Sequence, residues 1–248
     1  MTTKPTILLI QGAWHTLAAY EQLIAIFKSR GYPVVAPTLP SGADTTPPNP
    51  VEADISLFSS TAQSLIDEGK EVVAVAHSYG GTIATEALSG KGMRERKARG
   101  LPGGVRMIVF IAAFVLQEGR SLEMNAPIDI VPWAEYKDDL KVIAPGFDAG
   151  PVFYPDLSKE EQRKWLSTLV KHPKECSFHC PKKTAYGEVN VAFVYCLQDQ
   201  AFPHFAQQAM VNAIKETGVT FREITLDSGH FPMLSMPDVL ADEIMGLI

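Results

Sequence analysis

The sequence predicts an α/β protein, a mostly parallel central sheet with helices on both faces, and three observations point to it. Short apolar runs rich in β-branched residues alternate with stretches whose apolar residues recur at helical spacing, the pattern of a parallel sheet wrapped by helices. One run, from Val72 onward, passes through Ala76-His77-Ser78-Tyr79-Gly80-Gly81 into a helical stretch ending near Leu88, which is strand, tight turn and helix. The alternation breaks between Gln117 and Gly187 and resumes at Val189, so a core of residues 1–116 and 188–248 carries an insertion, residues 117–187.

Residues 6–10 form a mainly apolar run closed by Gln11-Gly12, which suits a strand buried on both faces. Residues 17–30 place Leu17, Tyr20, Leu23, Ile24 and Phe27 at helical spacing and stop at Gly31. Residues 32–36 read as a second strand and 38–50 as an irregular loop. Residues 51–68 read as a helix with Ile55, Phe58, Ala62, Leu65 and Ile66 on one face. Beyond the Ser78 turn, residues 105–114 are another buried strand. Within the insertion, residues 158–171 predict a helix, and Trp133, Tyr136, Phe147, Phe153, Tyr154 and Trp165 sit among prolines and charges. We expect this insertion to be a helical lid over the carboxyl ends of the strands. Strands at 189–197 and 220–226 and helices at 205–217 and 237–247 complete the chain.

Composition excludes some functions. The 248 residues carry a net charge of −6, which offers no large basic footprint for nucleic acid or an anionic membrane. The basic run 91–99 suits a solvated loop. The longest apolar stretch, residues 105–116, is interrupted by Arg106 and too short to span a bilayer, and the apolar run in the first residues is too short for a secretory signal, so none is expected. A cytoplasmic protein is expected. Three cysteines cannot build a disulfide framework, and Cys176, His179 and Cys180 lack a second ligand pair at usable spacing, so no metal is expected.

In open α/β sheets, ligands bind outside the carboxyl ends of the strands. Ser78, Asp199 and His230 all fall at such ends. A hydroxyl becomes a useful nucleophile when an imidazole takes its proton, and the imidazole needs a carboxylate to fix its tautomer. Ser78 is therefore the candidate nucleophile, His230 the general base and then acid, and Asp199 the orienting carboxylate. Serine also caps helices well, and a lone Ser-x-Gly would favour that role. Small residues at Ala76 and Gly80, where strand and helix nearly collide, favour the nucleophile. Two backbone N–H groups would stabilise the oxyanion, Tyr79 after the nucleophile and Ala13 in the loop after the first strand, where Gly12 lets the backbone come close. Trp14, His15, Trp133 and Phe231 are candidates for substrate contact. His77 should diverge from Ser78 at the turn, Asp227 suits a turn, and His172, His179 and His204 read as lid or surface residues.

Four motifs carry a resemblance: Gln11-Gly12-Ala13-Trp14, Ala76-His77-Ser78-Tyr79-Gly80-Gly81, residues 196–203 (CLQDQAFP) and residues 228–237 (SGHFPMLSMP). With them the chain resembles the α/β-hydrolase superfamily, in particular the plant methylesterase and hydroxynitrile lyase group, over nearly its whole length and least in the insertion. The resemblance implies the α/β-hydrolase fold, a Ser78–His230–Asp199 triad, backbone oxyanion donors at Ala13 and Tyr79, no cofactor and a helical lid. The lyases of that group carry lysine directly after the histidine and threonine in the first loop. Phe231 and Gly12 stand there in this chain, which argues against cyanohydrin cleavage.

The expected activity is cofactor-independent hydrolysis of a carboxylic ester or lactone of a small, fairly apolar molecule. Rival readings are a non-hydrolytic enzyme on the same scaffold, a C–C lyase or cyclase using His230 as base, and a ligand-binding receptor. The oligomeric state is open, a homodimer among the options.

Overall fold

The computed structural model describes residues 4–126, 129 and 131–248. The first three residues of the expected non-signal N-terminus, and Pro127, Ile128 and Ile130 of the expected lid, lie outside the described residues. Eight strands occur in chain order: β1 (Thr6–Ile10), β2 (Val34–Val35), β3 (Glu71–His77), β4 (Gly104–Ile111), β5 (Ala134–Lys137), β6 (Leu140–Ile143), β7 (Asn190–Cys196) and β8 (Phe221–Leu226). Six of them form one parallel sheet in the order β2-β1-β3-β4-β7-β8, and β5 pairs with β6 as a separate antiparallel hairpin.

Period-2 alternation explains why the central strands are apolar throughout. Leu8 and Ile10 of β1, with Val72, Ala74 and Ala76 of β3, pack on one face against Phe58, Ala62 and Ile83. Ile7, Leu9, Val73 and Val75 pack on the other against Leu23, Phe27, Leu240 and Ile244. The helices Pro50–Asp67 and Gly80–Ala87 cover the first face, Glu21–Ser29 and Pro237–Gly246 the second. Register then levels the strand ends. Ile10 lies opposite Ala76, Ala76 opposite Phe110, and Phe110 opposite Phe193. The chain leaves β1 toward β2 on one side and returns to β3 on the other, so a crevice opens between the loops after β1 and β3.

Several elements differ from the expectation. The second strand shrinks to Val34–Val35 at the sheet edge. The basic run is not a solvated loop: Met93–Ala98 is a helix, and Arg96 is buried, donating to the carbonyl of Pro102 at 2.9 Å and to Asp67 at 3.1 Å. The insertion is mixed, since β5 and β6 turn about Asp138, which takes φ 53°. Its helix begins where expected, with a Ser158–Glu161 capping box, but runs only over Lys159–Leu166. Its end has a cause: Val170 N–H donates to the Trp14 carbonyl at 2.7 Å, and that docking draws the chain away from a helical path.

Candidate active site

Ser78 follows β3 and takes φ 52°, a left-handed conformation rare for a residue with a Cβ and worth roughly 1–3 kcal/mol of strain. The surroundings hold it there. Its N–H donates to Ile111 O at 3.1 Å, and its carbonyl accepts from Gly81 N at 2.9 Å and Phe114 N at 3.1 Å. The glycines after it follow from close approach. A Cβ on Gly80 would stand 2.8 Å from Gln11 O and nearer still to Ile10 O, and one on Gly81 would stand 2.5 Å from Phe114 O. Ser78 does not cap the following helix; its Oγ lies 3.0 Å from His230 Nε2.

His230 lies in the loop after β8, and its Nδ1 is 2.6 Å from Asp199 Oδ2. A carboxylate only accepts, so Nδ1 carries the proton and Nε2 is left to face the Ser78 hydroxyl. Asp199 is fixed in turn. Its Oδ1 accepts from the N–H groups of Ala201 and Phe202, each at 2.8 Å, and Oδ2 also accepts from Gln207 Nε2 at 3.2 Å. The three side chains are buried, with 6%, 4% and 1% of Ser78, His230 and Asp199 exposed, so their hydrogen bonds operate away from bulk water. This arrangement fits a Ser-His-Asp triad.

The loops after β1 and β3 bring Ala13 and Tyr79 to the same cavity as Ser78. Gly12 does not have the conformational role expected of it. Its φ is not positive, and the reason for glycine is His77, whose Nδ1 would lie 2.8 Å from an added Cβ. Tyr20 hydroxyl accepts from Gly12 N–H at 2.8 Å and donates to His77 Nδ1 at 2.7 Å, while His77 Nε2–H donates to the carbonyl of His230 at 2.8 Å. One chain of hydrogen bonds thus joins the β1 loop, the β3 turn and the β8 loop.

The cavity has a volume of about 380 Å³ and is walled mainly by aromatic and aliphatic side chains, a size suited to a small ligand. All four expected contact residues, Trp14, His15, Trp133 and Phe231, line it. Trp14 packs edge-on to Trp133 at 5.6 Å, and its indole N–H donates to the Lys141 carbonyl at 2.9 Å. Both nitrogens of His15 are taken by the protein, Nδ1–H donating to Ala13 O at 2.8 Å and Nε2 accepting from the Tyr154 hydroxyl. Burial lowers His15 to a pKa of about 3, so it stays neutral.

Of the two readings given for His172, lid or surface, the second is corrected: it lies in the insertion but is 5% exposed, packs against Trp14 and Tyr79, and lines the cavity, and burial lowers it to about 3. His179 bonds to Glu86 at 2.8 Å, and Cys176 is buried in the main core, so this segment serves separate partners. No group of three or more His, Cys, Asp or Glu able to hold a metal occurs among the described residues. Asp227 accepts from Gln198 at 2.7 Å at an exposed site, away from His230. The sequence reading missed His77, Tyr20, Gln207, Lys141 and His172. Gln207 alone had a local signal, its place one helix turn into the element that follows Asp199.

Fold and site together define a hydrolase of the α/β type, and comparison with known proteins agrees. A family model described as the alpha/beta hydrolase family matches residues 7–243, and the chain belongs to that family. It is 30% identical over 250 residues to a probable hydrolase, R7, of Phoma sp., covering 98% of this chain and 97% of that one. Its fold is similar to a pyrethroid hydrolase from Sphingobium faniae (18% identity, TM-score 0.78, 99% and 97% of the two chains). It is similar also to a methylesterase from Arabidopsis (17% identity, TM-score 0.73, 98% of each chain), which matches the plant group that the motifs resemble. Among the described residues, no helix is long and apolar enough to cross a membrane.

Proposed function

We propose that this chain is a cofactor-independent serine hydrolase that cleaves a carboxylic ester or lactone of a small, fairly apolar molecule. The observation that carries the reading is the continuous Ser78–His230–Asp199 hydrogen-bond line, 3.0 and 2.6 Å long, opening into one cavity. Ser78 Oγ attacks the carbonyl carbon while His230 Nε2 takes the hydroxyl proton, and Asp199 stabilises the resulting imidazolium. The N–H groups of Ala13 and Tyr79 receive the oxyanion. The intermediate collapses as His230 returns its proton to the leaving alkoxide, giving an ester between Ser78 and the acyl group. Water, deprotonated by His230, then attacks that ester, releasing the acid and restoring Ser78. Trp14, Trp133 and Phe231 exclude water and hold the apolar body of the substrate, and the insertion acts as its lid.

The test is turnover of a panel of 4-nitrophenyl esters and aliphatic lactones by the wild type and by Ser78→Ala. The reading expects a nitrophenolate burst equal to the enzyme concentration in the wild type, and at least about a thousandfold loss of kcat in the variant. Full turnover in Ser78→Ala would favour a lyase or cyclase using His230 as base. Tight binding without turnover of any ester or lactone by the wild type would favour a receptor.

A further inference from the structure

The cavity is not uniformly apolar. Lys141 of β6 lines it and is 7% exposed, yet among the described residues its ammonium makes no hydrogen bond and no ion pair within 4 Å. Its Nζ lies 5.9 Å from the ring centroid of Trp14, over the indole face. Glu123 acts on it through space, and burial lowers its pKa to about 8, which leaves it mainly charged at neutral pH. A buried cation without a close partner is costly, and such groups are normally paired. Two further polar groups share the cavity. Neither ring nitrogen of His172 meets a hydrogen-bond partner among the described residues, and the buried Ser177 hydroxyl makes no hydrogen bond of ordinary geometry. All three can donate: an ammonium, a neutral imidazole N–H and a hydroxyl. The insertion supplies all three, whereas Ser78 and His230 come from the turns that follow β3 and β8 of the sheet.

We propose that Lys141, with His172 and Ser177, forms a carboxylate-binding subsite, so that the substrate is an ester or lactone bearing a free carboxylate away from the scissile bond. The proposal rests on the hydrolase reading and narrows its substrate class. The carboxylate supplies the close partner that the ammonium does not find among the described residues, and the aromatic walls hold the apolar body between the two ends. A carboxylate only accepts, and the ammonium, imidazole N–H and hydroxyl can all donate to it.

Two readouts test it. In the first, 4-nitrophenyl hydrogen glutarate and 4-nitrophenyl valerate, equal in chain length and different in charge, are compared. The ratio of their kcat/KM values should favour the glutarate in the wild type, fall roughly tenfold or more in Lys141→Met through KM, and be largely kept in Lys141→Arg. An equal ratio in wild type and Lys141→Met overturns the proposal. The second readout needs no catalysis. Monomethyl glutarate and dimethyl glutarate are titrated into Ser78→Ala, with tryptophan fluorescence reporting binding. The monoacid should bind about tenfold more tightly or better, and Lys141→Met in that background should abolish the difference. Equal affinity for the two, or an undiminished preference without the ammonium, overturns it. Should every ester prove inert, the hydrolase reading fails by the first readout, while the second still decides the subsite.

Discussion

The imidazole of His77 donates from Nε2 to the main-chain carbonyl of His230 at 2.8 Å, so the residue before the candidate nucleophile holds the loop that carries the candidate base. The two rings lie 4.8 Å apart, and Tyr20 fixes the tautomer of His77 from the other side. His77→Ala should fold, because its neighbours are packed, but leave that carbonyl and the Tyr20 hydroxyl without partners. We expect roughly 1–3 kcal/mol lower stability and a fall in kcat exceeding any rise in KM. Urea titration and steady-state kinetics check this, and unchanged kcat would remove the positioning role.

Asp199 leaves little freedom to an amide replacement. Its Oδ1 accepts two backbone N–H bonds, so an asparagine would place its oxygen there and its NH2 toward His230 Nδ1. That NH2 donates, forcing the proton of the imidazole onto Nε2, where it cannot accept from Ser78. Asp199→Asn should therefore lower kcat by about a thousandfold or more, with a retained fold. A tenfold loss would mean that the carboxylate does not set the tautomer.

Gly80 permits the helix Gly80–Ala87 to start against the end of β1. Gly80→Ala meets two backbone oxygens that cannot yield separately, and should destabilise by about 2 kcal/mol or more, or fail to accumulate in soluble form. Ala76→Gly, at a buried strand position, should cost only about 1 kcal/mol. Urea midpoints for the pair provide the measurement, and equal effects would contradict the close-approach argument.

Acid should unfold the protein early. Burial lowers His15 and His172 to about 3 and holds His77 well below its ordinary value. Between about pH 6.5 and 3 the unfolded chain binds protons at the His15 and His172 sites and the folded chain does not, so stability falls as pH falls, by about 1.4 kcal/mol per pH unit for each fully titrating site, and His77 acts in the same direction. Asp54, raised to about 6 by burial, works in the opposite sense between about pH 6 and 4, because the folded form then holds the extra proton. Three sites against one leave a net loss. Denaturant midpoints measured from pH 7 to 4 should decline, and a flat profile would contradict the burial of these imidazoles.

Much of the fold and of the candidate site is legible in the sequence. Strand and helix periods report burial directly, so β1, β3, β4, β7 and β8 appeared near their observed places, and Ser78, Asp199 and His230 stood at strand ends that the topology brings together. What escapes are partnerships between distant residues. Gln207 has a local signal in its place one helix turn into the element that follows Asp199, whereas nothing near Tyr20 announces His77. The insertion was least legible. Its hairpin is short and charged, and its helix ends through a contact with Trp14 that no local pattern encodes. His172 looked superficial because its neighbours in sequence are polar, although Trp14 and Tyr79 enclose it.

The proposed chemistry turns on the Ser78 hydroxyl at the turn after β3. Incubation with a fluorophosphonate, followed by intact mass and peptide mapping, should add one adduct per chain on the peptide containing Ser78. His230→Ala should slow the labelling by about a hundredfold or more. A wild-type chain that stays unlabelled, or an adduct that maps to another residue, would contradict it.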